Sequence, residues 1–378
     1  MDFQLNDDQR AIRRLAREFA DGEIRPVAAE LDREARFPYE IVARLGELGL
    51  MGMPFEEELG GGGSDYVSYA LAIEELARVD SSVAITVAAH TSLGTYPIHA
   101  FGSEAQRREW LPRLCSGERL GAFGLTEPDA GSDASAIRTT ARQEGGEWVV
   151  DGSKQFITNA GTDVSGCVTI AAVTGKDEIS AFIVPNGTPG YSVGEPYRKM
   201  GWKASDTRPL SFEGCRLPAQ SLLGPRGRGY AQFLETLAGG RISVSAMGVG
   251  LAQGALDEAL AYAKQRHAFG RPISKLQAIQ MKLADIATEI EAARLLTLRA
   301  AALKDRAHPK FDIVAAAAKL KTGRLAVRAA EEAVQIHGGY GYIEEYPVCR
   351  FYRDAKVLTI GEGTDEVQQL LIARHLGC

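Results

Sequence analysis

The chain has 378 residues, of which 43 are basic and 49 acidic, giving a net charge of -6. At roughly 150 residues per domain this length predicts two or three domains, and the acidic balance excludes a nucleic-acid-binding surface as the main function. Hydrophobic residues make up 45% and charged residues 24%, which excludes the disordered and membrane classes. Glycine is unusually frequent: its 41 positions exceed the usual ~7% and indicate many tight turns or close backbone approaches.

The cysteines and the first residues bear on the cellular compartment. Five cysteines without a CxxC pair predict reduced thiols in a cytoplasmic protein, with no disulfide framework and no metal site. They are Cys115, Cys167, Cys215, Cys349 and Cys378. No apolar stretch is long enough to span a bilayer. Acidic residues among the arginines of the first 20 positions argue against a transit or signal peptide and predict a mature first helix.

Residues 1–118 are predicted to be helical. Apolar residues at helical spacing predict helices over 7–20, 40–50, 66–79 and 81–93. Asn6 is expected to cap the first of these helices, and Ser64 or Asp65 the third. The four consecutive glycines at 60–63 predict a loop between the second helix and the third.

Residues 119–228 have a different pattern. Seven of the fifteen prolines fall there, between short segments rich in β-branched and aromatic residues. These segments are 147–159, 167–175, 179–187 and 210–218. Closely spaced short strands between turn signals predict a compact β-domain.

From residue 229 the helical pattern returns and continues to the end of the chain. Alanine-rich runs with leucine and isoleucine at three- and four-residue spacing predict helices over 230–265, 276–304, 311–337 and 364–376. Long helices with short connections predict an antiparallel bundle.

Four segments combine glycine with polar residues beyond what packing requires: 124–135, 154–161, 266–273 and 359–368. The first exposes backbone N–H groups suited to carbonyls or phosphates, and the arginines of the third suit a pyrophosphate. In the fourth, Glu362 lies between two glycines, which lets a substrate approach its carboxylate closely. Each segment also has a purely structural explanation: a capped loop, a strand exit, a helix end compensated by cations, and a solvated glutamate. No GxGxxG, P-loop or GxSxG motif accompanies them.

Together these segments resemble the acyl-CoA dehydrogenase family over essentially the whole chain. The matching stretches, in order, are 52–78, 101–133, 154–161, 251–280, 335–342 and 352–368. The resemblance implies a multidomain α+β fold. Its parts would be an N-terminal all-α domain at 1–118, a central β-barrel domain at 119–228 and a C-terminal four-helix bundle at 229–378. It also implies an enzyme of fatty-acid metabolism that binds FAD in each subunit of a homotetramer, a dimer of dimers.

The resemblance assigns cofactor and substrate contacts. Around the flavin it places Phe123, Leu125, Thr126, Gly131, Ser132, Phe156, Ile157 and Thr158. Around the pyrophosphate and adenosine of a neighbouring subunit's FAD it places Arg266, Phe269, Gln277, Gln335, Ile336, Gly338 and Gly339. The residues expected to close over the cofactor are Thr364, Asp365 and Glu366, and those expected to contact acyl-CoA are Ser132, Arg241 and Gly363.

The resemblance also implies the chemistry. Glu362 would remove the α-proton of an acyl-CoA thioester while a hydride passes to the flavin, giving a trans-2-enoyl-CoA. Donors to the thioester carbonyl, among them the backbone N–H of Glu362, would stabilise the developing enolate charge. Electrons would then pass to an electron-transfer flavoprotein.

Three departures from the family pattern bear on the substrate. Some relatives carry their base at the position of Gly240, just before Arg241, so its absence here leaves Glu362 as the base. Ala238 replaces an aspartate that contacts the CoA arm in many members. Glycine at position 361, which is often aromatic in the family, leaves room for an α-branched or bulkier acyl group.

Two alternatives remain open at this point. Acyl-CoA oxidases and flavin monooxygenases share the fold and return electrons to O2. A non-catalytic acyl-CoA or acyl-carrier binding protein would be expected to have lost the base, and Glu362 is retained.

Overall fold

In a computed structural model, which describes residues 4–378, the N-terminal region consists of helices joined by short connections. They are α1 Asp7–Phe19, α2 Ala28–Glu34, α3 Tyr39–Glu47, α4 Tyr66–Val79, α5 Ser81–Ala88, α6 Tyr96–Phe101 and α7 Glu104–Cys115. Asn6 caps α1 by accepting from the Gln9 backbone N–H at 2.8 Å. Asp65, rather than Ser64, caps α4 by accepting from the Ser68 N–H at 2.6 Å. Both capping predictions are therefore confirmed.

One predicted helix differs in form. The segment expected as a single helix over 81–93 is α-helical only to Ala88, and a π-helical stretch continues from Ala89 to Thr95. The wider turn brings Gly94 against the central sheet, where a Cβ on Gly94 would lie 2.2 Å from the Gly121 carbonyl oxygen. Only glycine allows this approach, and π-bulges are frequent near functional sites.

The central region forms one sheet. Its strands are β1 Leu120–Gly124, β2 Thr140–Glu144, β3 Glu147–Thr158, β4 Ser165–Gly175, β5 Glu178–Pro185, β6 Tyr191–Val193, β7 Thr207–Pro218 and β8 Leu222–Leu223. Their order is β6-β7-β3-β2-β4-β5-β8, and β1 pairs in parallel with β4. All four predicted strand segments are present. The predicted β-domain is confirmed, but no closed barrel is formed by the observed pairings, because within the described residues β6 and β8, at the two ends of this order, do not pair.

The C-terminal region is built on three long helices. Its elements are α8 Gly229–Gln265, β9 His267–Ala268, β10 Arg271–Pro272, α9 Gln277–Asp305, α10 Phe311–His337, α11 Pro347–Ala355 and α12 Asp365–His375. Helices α8, α9 and α10 pack on one another, and α11 and α12 pack on α10. The four predicted helices are confirmed to within one residue at each end. The short helix α11 was not predicted, because proline at its first position marks a helix start as well as a break.

Helix α8 connects the three regions. It packs against α4 of the N-terminal region, against α9 and α10, and against strand β5. Residues of the N-terminal helices and of α8, α9 and α10 share one hydrophobic core. Because α8 has 37 residues, it is about 55 Å long, and its two ends lie in different parts of the molecule.

Within residues 4–378, no helix combines the length and hydrophobicity needed to cross a bilayer. All five cysteines are free thiols, and Cys115, Cys167 and Cys215 are buried. The same residues contain no group of three or more His, Cys, Asp and Glu side chains that could hold a metal ion.

Candidate active site

Glu362 lies in a left-handed turn between the end of the α11 region and the start of α12. Its φ is 53° and that of Gly363 is 95°. A positive φ is uncommon for a residue with a side chain and persists only where the surroundings enforce it. Both carboxylate oxygens of Glu362 are buried and have no hydrogen-bond partner in the protein. The turn therefore delivers an unpaired carboxylate into the interior.

The carboxylate reaches helix α8 at Gly240. A Cβ built on Gly240 would lie 2.5 Å from Glu362 Oε2 and 3.0 Å from Leu93 Cδ2. Real Cβ atoms essentially never approach another atom as closely as 2.5 Å, and 3.0 Å is already a tight contact, so glycine at this position makes room for the carboxylate. The position at which some relatives carry their base is thus the one that Glu362 touches.

Burial controls the ionisation of the site. Desolvation raises the pKa of Glu362 to about 7, against the opposing influence of Lys319 and Arg241. Burial also lowers the pKa of Lys319 to about 8, and it lowers the pKa of Arg241. Loss of water disfavours every charged form here. A carboxyl group with a pKa near neutrality can both accept and release a proton.

Two side chains from neighbouring helices hold the turn that carries Glu362 by donating hydrogen bonds to it. Lys319 Nζ donates to the Gly363 carbonyl oxygen at 2.6 Å, and Gln368 Nε2 donates to the same oxygen at 3.0 Å. Thr364 caps α12 by accepting from the Val367 N–H at 3.4 Å. The turn therefore joins helices α10 and α12 through one carbonyl group.

The next two predicted cofactor residues lie at the start of α12. Asp365 is buried and accepts from Arg324 Nε at 3.0 Å. Glu366 is exposed. The structure thus gives Asp365 an ion pair within the chain, and cofactor contacts from these residues stay predictions.

The predicted flavin loop is fastened to strand β3. Lys154 Nζ, which is fully buried, donates to Glu127 Oε1 at 2.7 Å and to the Leu125 carbonyl oxygen at 3.3 Å. The Gln155 N–H donates to the Thr126 carbonyl oxygen at 2.8 Å. Two segments that the sequence predicted to face the same ring, 124–135 and 154–161, are therefore adjacent.

Aromatic rings border this region. Phe123 stacks on Phe233 of α8 with ring centroids 4.3 Å apart, which places the loop about two helical turns from Gly240. Phe156 has a φ of 60°, and 65% of its surface is exposed. Its ring centroid lies 5.3 Å from that of Tyr197. A large exposed apolar ring on a strained backbone points to a ligand surface.

The remaining residues of this group lie at a strand end and a loop. Thr158 pairs with Thr207 across β3 and β7. Ile157 is buried, whereas Gly131 and Ser132 are exposed. A Cβ on Gly131 would meet no protein atom within 4 Å, so the loop is open on that side.

A second group lies at the far end of α8. Arg266, Ile336, Gly338 and Gly339 line a cavity of about 470 Å³. Phe269, Gln277 and Gln335 are exposed, and 90% of the Phe269 surface is accessible. The 25 residues of helix from Gly240 to the end of α8 span about 37 Å. The structure does not bring this group near Glu362 within one chain.

These two regions fit FAD on the geometry of the chain itself. The exposed Phe156 ring and the open loop at Gly131 suit an isoalloxazine ring. At Gly338 and Gly339 a Cβ would meet no protein atom within 4 Å, which leaves backbone beside Arg266 free for a phosphate. The individual contacts stay predictions.

Sequence reasoning missed the supports of the site. Lys319, Gln368 and Lys154 were not singled out, although each holds a predicted segment in place. One signal was available for Lys319: it follows the apolar run 313–318 at a spacing that continues the buried face of α10. A charged residue on an apolar face indicates a specific partner.

A buried carboxylate whose oxygens have no hydrogen-bond partner in the protein is suited to proton abstraction, and the neighbouring surfaces suit a dinucleotide flavin. The fold and the site thus define a class, the flavin-dependent dehydrogenases. Three family models match in chain order: acyl-CoA dehydrogenase, N-terminal domain, over 6–118, middle domain over 122–215, and C-terminal domain over 227–377.

Relatives of known family are similar in sequence to this chain over its full length. A probable acyl-CoA dehydrogenase of Bacillus subtilis is 50% identical, with 100% of both chains covered. A short-chain specific acyl-CoA dehydrogenase of Clostridium acetobutylicum is 44% identical, with 99% of both chains covered. The chain belongs to the acyl-CoA dehydrogenase family and is an FAD-dependent acyl-CoA dehydrogenase, which confirms the predicted family, enzyme class and cofactor.

Solved structures show the same fold. Butyryl-CoA dehydrogenase from Megasphaera elsdenii is 44% identical, with a TM-score of 0.97 and 100% of both chains covered. A chain from a structure concerning the electron transferring flavoprotein of Acidaminococcus fermentans has the same identity and TM-score, with 100% of this chain and 99% of that chain covered. An acyl-CoA dehydrogenase from Bacillus anthracis complexed with FAD is 33% identical, with a TM-score of 0.94, and the match covers 99% of this chain and 68% of that one.

Proposed function

We propose that Glu362 removes the α-proton of a short-chain or α-branched acyl-CoA thioester. The observation that carries this proposal is the buried carboxylate with neither oxygen engaged by the protein. The α C–H bond breaks and its proton passes to a Glu362 carboxylate oxygen. Bound FAD would supply the acceptor for the hydride of the β-carbon, and the electron pair of the broken α C–H bond forms the double bond of a trans-2-enoyl-CoA.

The surroundings of Glu362 suit a base. A pKa of about 7 keeps much of the group ionised at neutral pH and makes it a stronger base than an exposed carboxylate. Lys319 and Arg241 offset the cost of burying that charge. Burial beside α8 shields the carboxylate from bulk water, which strengthens the charge interactions made there.

The same turn offers a donor to the substrate. The Glu362 N–H donates to no backbone carbonyl in the hydrogen bonds found outside regular elements in residues 4–378. Such an N–H beside the base suits a thioester carbonyl oxygen that gains negative charge as the α-proton leaves. Glu362 would thereby contribute its carboxylate to the α-carbon and its backbone to the carbonyl group.

The substrate class rests on space and on relatives. A Cβ on Gly361 would make only ordinary contacts, 3.5 Å from the Val357 carbonyl oxygen and 3.9 Å from Val357 Cγ2, so the space beside the turn at Gly361 is open. The short-chain specific and butyryl-CoA dehydrogenases named above match the full chain at 44% identity. Room beside Glu362 is the support for an α-branched acyl group.

A second copy of the chain completes the cofactor site in this proposal. The Arg266 group lies about 37 Å along α8 from Gly240, which is longer than an extended FAD molecule. Both groups therefore serve one FAD only if they come from two chains. The exposed Phe269 ring supports the same arrangement, and we infer a homotetramer built from two such dimers.

Three further assignments belong to the same proposal. Electrons pass to an electron-transfer flavoprotein, supported by the similarity to the chain from the Acidaminococcus fermentans structure. The compartment is the cytoplasm, supported by five free cysteines. The domains are 1–118, 119–228 and 229–378, supported by the start of β1 at Leu120 and of α8 at Gly229.

Anaerobic titration of the purified yellow protein tests the proposal. Butyryl-CoA and isobutyryl-CoA should bleach the flavin, whereas long straight-chain acyl-CoAs should do so more slowly. Glu362→Gln keeps the shape of the side chain and removes the base, so this variant should retain FAD and bind butyryl-CoA without bleaching. Bleaching of Glu362→Gln at the wild-type rate would show that another group is the base. Rapid re-oxidation by air after bleaching would show that O2 is the acceptor.

A further inference from the structure

Lys319 is a buried charged residue that contacts the turn carrying Glu362 and has no assigned role in the reaction. It is a lysine of α10 with no exposed surface, and lysines are almost never fully buried without a partner. Its Nζ makes no ion pair within 4.0 Å among residues 4–378. Its hydrogen bond is to a backbone oxygen, that of Gly363, at 2.6 Å. The acyl-CoA dehydrogenase site thus contains a buried ammonium group bound to the turn beside the base.

The bonded carbonyl group belongs to the strained turn. Glu362 and Gly363 both have positive φ, and such backbone needs interactions that hold it. Lys319 from α10 and Gln368 from α12 donate to the same Gly363 oxygen. The two bonds approach from different helices, so they restrict rotation of the peptide that follows Glu362.

We propose that Lys319 is a positioning residue for the reaction: it holds the Glu362–Gly363 turn so that the Glu362 carboxylate faces the α-carbon of the substrate. Its charge also stabilises the ionised base. This inference rests on the proposed role of Glu362. Gln368 shares the geometric part of this function, whereas the charge is contributed by Lys319.

Other charged groups face this site and are accounted for. The charge of Arg241 on α8 also lowers the pKa of Glu362, and the charge of Glu362 contributes to raising the pKa of Tyr69 on α4. Lys319 is in turn affected by Asp365 and Glu366 at the start of α12 and by Arg241. Removal of Lys319 leaves Arg241 as the cation facing the carboxylate. The acidic groups nearby would then disfavour ionised Glu362.

The variants Lys319→Met and Gln368→Met separate charge from geometry. In Lys319→Met the anaerobic rate of flavin reduction by saturating butyryl-CoA at pH 7 should fall at least tenfold. The acid limb of its pH profile should move to higher pH by about one unit, as expected when an opposite charge is removed. Gln368→Met should slow reduction about threefold to tenfold, as for loss of one neutral hydrogen bond, without moving the limb.

Lys321→Met is the matched control. Lys321 is two residues along α10 and pairs with Glu289 of α9 instead, so its replacement should leave rate and pH profile unchanged within twofold. FAD content and thermal midpoint are measured for every variant. Because an apolar side chain replaces a buried charge, Lys319→Met should fold. If it does not, Lys319→Gln, which keeps a donor for the Gly363 carbonyl oxygen and removes the charge, replaces it. A wild-type reduction rate with an unmoved acid limb then overturns the charge contribution, and an unchanged rate in Gln368→Met overturns the need to hold that carbonyl.

The outcomes distinguish this inference from the function on which it rests. A Lys319→Met protein with full FAD, the wild-type rate and an unmoved acid limb overturns the positioning role, while inactivity of Glu362→Gln keeps the base assignment intact. Bleaching by Glu362→Gln overturns the base assignment itself. A slow Lys319→Met with an unmoved limb would contradict the charge contribution.

Discussion

Replacing Gly240 by alanine adds one methyl group at the point where helix α8 meets the Glu362 carboxylate. The new Cβ would lie 2.5 Å from Glu362 Oε2, and ordinary contact begins at 3.4 Å. The carboxylate must therefore withdraw by about 0.9 Å. The Leu93 side chain lies 3.0 Å from the same Cβ and must also shift slightly. A misplacement of about 1 Å can cost roughly 100-fold in rate.

The expected result is a slower reaction without loss of stability. Alanine is favoured over glycine in a helix by about 1 kcal/mol, and the displaced atom is the end of a flexible side chain. We expect the rate of anaerobic flavin reduction by butyryl-CoA to fall tenfold to 100-fold in Gly240→Ala. Stopped-flow absorbance at the flavin band measures this rate, and a thermal melt measures stability.

Gly239→Ala is the matched control for this substitution. It is the preceding residue of the same helix, and its Cβ would meet Lys304 Nζ at 3.2 Å, at the end of a long side chain that can shift. Both variants gain the same helix propensity, so their difference isolates the contact with Glu362. Equal rates in Gly240→Ala, Gly239→Ala and the wild type would refute the close packing of base and helix.

Three further predictions concern ionisation, the flavin loop and the second copy. The pKa of Glu362 is raised from 4.5 to about 7 in the folded chain, so ionising this group opposes folding and stability is lost as pH rises through this range. The stability advantage of Glu362→Gln over the wild type should therefore grow by up to about 3 kcal/mol in free energy of unfolding between pH 4 and pH 8. An advantage that stays constant in urea titrations at the two pH values would contradict this. Lys154→Met leaves Glu127 buried without its cation, so it should lower the free energy of unfolding by about 3–5 kcal/mol and weaken FAD binding. The double variant Lys154→Met, Glu127→Gln should recover part of the stability, measured by thermal melts, and part of the FAD binding, measured by absorbance spectra. Phe269→Ala should not change the stability of the isolated chain, because the ring is 90% exposed, but it should weaken FAD binding measured by ultrafiltration; unchanged FAD retention would argue against the ring's contact with a second copy.

The four C-terminal helices that were predicted, and two N-terminal helix caps, could be read from the sequence because their causes are local, whereas the helix predicted over 40–50 ends at Glu47. Asn6 and Asp65 cap helices through bonds to residues three positions away. The helix predicted over 311–337 has those bounds in the structure, since a 3.6-residue apolar period needs no knowledge of the partner helix. The strands followed equally from short alternation between turns.

Features that depend on contacts between residues far apart in the chain could not be predicted from the sequence. The π-helical turn from Ala89 to Thr95 brings Gly94 against Gly121 of the sheet, and the periodicity of the local sequence did not predict it. Closure of the sheet into a barrel was expected, whereas in residues 4–378 β6 and β8, at the two ends of the strand order, do not pair. Pairing is a property of strands separated in the chain, so composition and alternation do not determine it.

For the site, the sequence by itself determined that Glu362 lies between glycines in a polar turn, and that the flavin and pyrophosphate segments have the residue types of their family. The tertiary structure decided what makes that glutamate a base. Burial against Gly240 of α8 removes water and raises its pKa, and Lys319 of α10 holds the following peptide. These groups are 122 and 43 residues away in the chain. Desolvation and charge act through space, and only the packed helices bring the three residues together.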